Sequence, residues 1–230
     1  MSQSIYDIPL KSWDGKENML TDYKGKVTMV INVTGDCGNA PQYGVIETIY
    51  RKYKDQGFEV LAVPTNDYCG PGITYNEFEC GIDAPETARD YATDLYDVTY
   101  DFSELITSNP GPAESKEFMD ANYPGRTQPF PRQLEEGEEV HPLYEGLTAW
   151  NGGAPIFGNF EKFLVDKNGK VAQRYPNSTL LDYAFEGGDR TQTSGEDYDM
   201  ICKAIEDLLE NRYVSPELDC LGKPLYSFSA

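Results

Sequence analysis

Two short apolar runs separated by an amphipathic helix constrain this chain more than any other feature. Val27, Met29, Val30, Ile31 and Val33 fall in one near-continuous run over residues 26–33, the pattern of a strand buried on both faces. Tyr43, Ile46, Tyr50 and Tyr53 follow at helical spacing from about Pro41, and Gly57 stops that helix. Residues 58–63 read as a second buried strand. Strand, helix and strand make a βαβ unit, whose right-handed crossover sets the two strands parallel in one sheet. The chain is therefore expected to be α/β, a sheet flanked by helices.

The remaining segments are arranged around that unit. Residues 5–10 read as a strand, Asp14-Gly15 as a turn and residues 17–20 as its return, an N-terminal β-hairpin. A single helical turn at residues 21–25 is stopped by Gly25, and helices are predicted over 85–95 and 141–147. Residues 160–165 and 170–175 form a second hairpin about the turn Asp166-Lys167-Asn168-Gly169. Ile201, Ala204, Ile205 and Leu208 line one face of a last helix. Residues 107–140 are rich in Pro, Gly and Glu and include Glu135-Glu136-Gly137-Glu138-Glu139. They read as a long acidic insertion that serves as a lid, an oligomer contact or a mobile excursion. A polar loop is expected over 186–196 and an irregular tail over 214–230. At 230 residues the whole chain, 1–230, is read as one domain with a substantial core.

Composition narrows the function. A formal net charge of −20, from 19 basic and 39 acidic residues, excludes nucleic acid and anionic membrane as partners, because both demand clustered Lys and Arg. No apolar run has membrane length and no secretory pattern opens the sequence, so a soluble, cytoplasmic protein is expected. The five cysteines are widely spaced and include no CxxC pair, which counts against zinc and against a thiol–disulfide exchange enzyme. His141 is the sole histidine, so there is no histidine-based catalytic triad and no histidine metal site. No metal and no bound cofactor is expected.

Cys37 is the chemically informative residue. It lies in Asn32-Val33-Thr34-Gly35-Asp36-Cys37-Gly38, at the switch from the first strand to the first helix. Open α/β sheets place ligand sites at the carboxyl ends of their strands. A helix N-terminus facing the sulfur favours its thiolate.

On these residues the chain resembles the glutathione peroxidases in the broad sense. The opening Tyr6-Asp7, Asp14-Gly15-Lys16 and Asp22-Tyr23-Lys24-Gly25-Lys26-Val27 is similar to that family's, as is Asn32-Val33 followed by Cys37-Gly38. So are Tyr53-Lys54-Asp55-Gln56-Gly57-Phe58-Glu59-Val60 and Pro142-Leu143-Tyr144. Asn159-Phe160-Glu161-Lys162-Phe163-Leu164-Val165-Asp166-Lys167-Asn168-Gly169 matches best. The resemblance covers about residues 4–105 and 141–212 and implies a thioredoxin-like fold with a central mixed sheet. It also implies thiol-dependent reduction of hydrogen peroxide or organic hydroperoxides, with Cys37 attacking the O–O bond and becoming a sulfenic acid.

The same resemblance assigns supporting groups. The family surrounds its reactive residue with an asparagine, a glutamine and a tryptophan. The asparagine corresponds to Asn159, the glutamine to Asp67 and the tryptophan to Gly158. A carboxylate at 67 is expected to raise the Cys37 pKa, unless Asp67 is protonated and donates to the leaving oxygen. Trp150 or Trp13 could replace the missing ring, although packing is the plainer role for each. Cys80, in Asn76-Glu77-Phe78-Glu79-Cys80, resembles the resolving thiol of family members that use thioredoxin, and Cys69 is its rival. Cys202 is read as a core-edge residue, and Cys220 in the tail has no assigned partner. The external reductant is a thioredoxin-type protein or glutathione. Thioredoxin is favoured, because only the scattered Arg126, Arg132 and Arg190 are offered to an anionic tripeptide. The alternative is a catalytically weakened redox sensor or binding module on the same scaffold.

Overall fold

A computed structural model describes residues 4–68, 82, 84–122, 131–180 and 196–214. The apolar run at residue 27 becomes strand β1, Val27–Val33, every residue of it buried. Helix α1, Gln42–Tyr53, carries the chain to β2, Phe58–Pro64, which lies parallel to β1 with Val27 opposite Phe58 and Val33 opposite Pro64. After α2, Pro85–Tyr96, the short strand β3, Asp101–Phe102, joins the outer edge of β2, again parallel. The strands β4, Lys162–Val165, and β5, Val171–Tyr175, form the expected hairpin. Their turn is closed by Asp166, whose carboxylate accepts from the amides of Asn168 at 2.8 Å and Lys170 at 2.9 Å. β4 runs antiparallel to β1, so the sheet is mixed, with order β3-β2-β1-β4-β5.

The strand alternation of β1 and β2 splits the core in two. Met29, Ile31, Val33 and Val60 face a layer built from α1, α2 and α5, Glu196–Leu209. Val30, Leu61, Val63 and Phe163 face the N-terminal segment and α4, Pro142–Thr148. Burying each such side chain contributes about 1.5–3 kcal/mol, and β1, inside both layers, occupies the centre. Among the described residues no helix is long and apolar enough to cross a membrane.

Three expectations are corrected or extended. The N-terminal segment is not a β-hairpin. It does fold back at Asp14-Gly15, where Gly15 stands at φ +89° and its amide bonds to Ser12. Its limbs, however, are 3-10 turns at Ile5–Asp7 and Met19–Tyr23, with only an isolated bridge from Ser12 to Ser103. The apolar Tyr6, Ile8, Leu10 and Leu20 cap the second core instead of extending the sheet. The insertion is not structureless: Pro112–Asn122 forms α3, started by proline where the missing amide hydrogen costs nothing. His141 is the N-cap of α4, its Nδ1 accepting from the Leu143 amide at 3.2 Å. The loop at 186–196 lies, apart from its final residue Glu196, outside the described residues, and so does the tail beyond Val214.

Candidate active site

The end of β1 organises the site. Asn32 is fully buried, and its groups grip the turn that precedes β4. Its Nδ2 donates to the Gly158 carbonyl at 2.9 Å, its Oδ1 accepts from the Glu161 amide at 2.9 Å, and its own carbonyl accepts from the Phe160 amide at 2.7 Å. The Asn159 backbone is thereby fixed beside the carboxyl end of β1. Asn39, just past Cys37, closes the contact from the other side, its Nδ2 donating to the Asn159 carbonyl at 3.0 Å. The structure thus brings the Cys37 loop and the Asn159 turn together, although sequence separates them widely.

Cys37 is half-buried and packs against the first core. The helix it precedes starts later than a direct cap would require: the loop turns through Ala40, whose amide bonds to the Cys37 carbonyl at 2.9 Å, before α1 begins. Burial pushes the thiol up to about 11, against the backbone amides of Asn39 and Ala40, which pull it down. Asp36 adds a small upward push. Burial thus favours the thiol and works against the thiolate that the strand-to-helix position suggests. Alkylation of Cys37 by iodoacetamide is expected to quicken with pH and reach half its limiting rate at about pH 11. A midpoint in the neutral range, read by peptide mass spectrometry, would show that the site holds a thiolate.

Asp67 is fully buried but turned toward the insertion. Its Oδ2 accepts from the Ser108 amide and from Ser108 Oγ, each at 2.6 Å, and Arg132 Nη2 stands 3.5 Å from its Oδ1. Burial raises its pKa, while Ser108 and Arg132 oppose the rise. The carboxylate that pushes the Cys37 thiol up is that of its neighbour Asp36. Arg132 is itself committed to Glu138, so it is not the loose anchor for an anionic reductant that its loop position suggested.

Gly158 stands against Asn177: a Cβ there would lie 2.7 Å from Asn177 Nδ2. The space of a larger side chain at 158 is taken by that carboxamide, whose own backbone carbonyl accepts from buried Gln42 Nε2 at 2.8 Å. Trp13 does not fill it, since it lies at the surface under the guanidinium of Arg89 at 3.4 Å. Trp150 follows α4 in a short 3-10 turn. Cys202 is buried on α5. Cys69, Cys80, Cys220, Arg126 and Arg190 lie outside the described residues. No cluster of His, Cys, Asp and Glu suited to a metal ion occurs among the described residues.

Asn32, Asn177 and Lys162 were given no role from sequence. For Asn32 a signal existed, a polar residue inside a strand otherwise buried on both faces, which must find partners.

Comparison with known proteins bears on this geometry. The glutathione peroxidase family profile matches residues 5–120. A glutathione peroxidase homolog of Halalkalibacterium halodurans is 31% identical over 181 residues, which cover 76% of this chain and 91% of that protein. Glutathione peroxidase-like peroxiredoxin 2 of Saccharomyces cerevisiae is 33% identical over 78% of this chain and 91% of its own length. Hydroperoxy fatty acid reductase gpx1 of Synechocystis is 30% identical over 76% of this chain and 87% of its length. Among solved structures, T. cruzi GPX1 aligns with a TM-score of 0.52 and 24% identity over 90% of this chain and 97% of that one, a likeness of fold.

Proposed function

This chain belongs to the glutathione peroxidase family, and on that premise we propose that Cys37 is the nucleophile of its thiol-dependent peroxidase activity. The family fixes the reaction class, peroxide reduction at the expense of a thiol. The observation that carries the assignment to Cys37 is the meeting of its half-buried loop with the Asn32-clamped Asn159 turn.

In the proposed step the Cys37 sulfur bonds to one peroxide oxygen as the O–O bond breaks. Sulfur is oxidised by two electrons to the sulfenic acid, and the peroxide is reduced to water or an alcohol. The attacking form is the thiolate, which burial makes the minor species at rest; the proton the sulfur gives up beforehand is returned through water to the departing oxygen. Asn159 is the supporting donor to that oxygen. We do not assign that role to Asp67, whose oxygens face Ser108 and Arg132. A second thiol, Cys80 in the first instance and Cys69 in the second, then displaces water from the sulfenic acid to form a disulfide. A thioredoxin-type dithiol reduces that disulfide. The engagement of Arg132 with Glu138 and Asp67 weakens the case for glutathione.

The raised Cys37 pKa is the one observation that favours the second reading, a slow redox sensor. A single measurement addresses both. Reduced protein exposed to one equivalent of hydrogen peroxide in the presence of dimedone should carry the adduct on the Cys37 peptide, formed faster than on a free cysteine. An adduct confined to other cysteines would remove Cys37 as nucleophile. An adduct on Cys37 at the free-thiol rate would favour the sensor.

A further inference from the structure

Lys162 is fully buried in β4, opposite Ile31 of β1 and Tyr175 of β5. An ammonium taken out of water is costly unless it is bonded. Its Nζ donates to the Phe160 carbonyl at 2.7 Å and reaches that of Pro176 at 3.4 Å. Phe160 needs such a partner. It stands at φ +69°, a left-handed conformation that costs a bulky residue of order 1–3 kcal/mol and persists only where its surroundings enforce it. The enforcement is two-sided: Asn32 takes the Phe160 amide and Lys162 takes its carbonyl. The ring of Phe160 meets Tyr43 edge-on at 4.7 Å, and the Tyr43 hydroxyl donates to the Thr34 carbonyl, in the loop leading to Cys37, at 2.7 Å. The residue before Phe160 is Asn159, bonded through its carbonyl to Asn39.

We propose that Lys162 is a positioning residue of the peroxidase site: its ammonium locks the Asn159-Phe160 turn in the left-handed form that sets Asn159 against the Cys37 loop. The proposal rests on the reading of Cys37 as nucleophile and Asn159 as donor to the departing oxygen. It goes beyond that reading by making the donor's placement depend on a proton held elsewhere. The charged groups that act on Lys162 are Glu161 beside it, itself paired with Arg174 of β5, and Asp197 of α5, while Tyr175 is its register partner across β5. β1 presents the apolar Ile31. Burial brings the ammonium down to about 7, with Glu161 and Asp197 resisting. As pH rises through that value the charge is lost and the clamp weakens from a charge-assisted bond to a neutral one.

The test compares two reactions of the full chain at Cys37. Iodoacetamide reports thiolate alone, whereas hydrogen peroxide reports thiolate and the donor. The ratio of their rate constants therefore cancels the ionisation of sulfur. In the native protein the ratio should fall several-fold as pH rises across the neutral range. In Lys162→Met it should be lower by roughly tenfold to a hundredfold on the acid side, the scale of a misplaced catalytic group, and independent of pH. Lys162→Arg, which keeps charge and donors, should restore much of the ratio. A merely structural lysine would lower both rates together and leave the ratio unmoved. A ratio that is the same in native and Lys162→Met protein overturns the proposal. Should the methionine variant fail to fold, a pH-independent native ratio overturns it equally. Peroxide reaction persisting in Cys37→Ser would instead remove the reading beneath it, a separate outcome.

Discussion

Cys37→Ser is expected to lose peroxide reduction by at least about a thousandfold, within the range that loss of an enzyme nucleophile costs. A serine hydroxyl ionises far less readily than a thiol and is a poor attacker of peroxide oxygen. The rest of the site would stay in place. The side-chain contacts that shape it run through Asn39, Asn159 and Asn32 without the sulfur, and a serine Oγ can accept from the Asn39 and Ala40 amides as the sulfur does. Cys37 is half-buried and serine differs from it by one atom, so stability should change by no more than about 0.5 kcal/mol. Stopped-flow peroxide consumption with a thiol reductant checks the rate, and a melting curve checks the fold. The informative failure is a folded variant that still consumes peroxide quickly. The nucleophile would then be Cys69, Cys80 or Cys220, because Cys202 is enclosed on α5 and its pKa is raised by burial.

The parts of the fold legible in sequence are those where one pattern has one solution. Val27, Met29 and Ile31 alternate with Thr28, Val30 and Asn32, yet the run is apolar enough to demand cover on both faces, and both faces are covered. The Asp166–Gly169 turn was legible because its chemistry is local, an aspartate accepting from amides just ahead of it. The N-terminal segment misleads because Tyr6, Ile8 and Leu10 have the spacing of a strand, and spacing does not say whether an edge is available to receive one. Among the described residues no strand pairs with the outer edge of β5, and 3-10 turns bury the same side chains. The prolines of the insertion suggested irregular chain, although Pro112 is a helix start. At the site, the place of Cys37 at the end of β1 is legible from sequence, whereas its nearness to the Asn159 turn comes only through resemblance. The direction of Asp67 was not legible: its partners Ser108 and Arg132 come from the insertion, and nothing near residue 67 announces them. Nor could Glu161, Lys162 and Arg174 be told from surface charge, since a buried pair and a solvated one share the same letters.

Arg174→Met should be the most destabilising single change in the described structure, by about 3–5 kcal/mol, the cost of removing one partner of a buried ion pair. The guanidinium is fully enclosed. Its Nη2 donates to both oxygens of Glu161 at 2.9 Å and to the Pro155 carbonyl at 2.7 Å, while Nη1 donates to the Ala154 carbonyl at 2.7 Å. The rings of Phe157 and Phe163 stand 5.1 and 5.0 Å from its central carbon. Methionine fills much of the space but satisfies none of these acceptors, and it leaves Glu161 without the arginine that opposes its burial-raised pKa. For a chain of this length the loss corresponds to a fall in melting temperature of roughly 10 °C. Adding Glu161→Leu should recover part of the loss by removing the orphaned carboxyl, but not all of it, because the Ala154 and Pro155 carbonyls and the Phe157 amide keep no partner from the pair. Full recovery in the double variant would mean that the backbone of 154–157 finds water. That segment runs directly into Gly158 and Asn159, so the single variant should also slow the Cys37 peroxide reaction at temperatures where it remains folded. A variant that loses stability yet keeps the native rate would separate the ion pair from the site, and would leave Asn32, Asn39 and Lys162 as supports of the Asn159 turn.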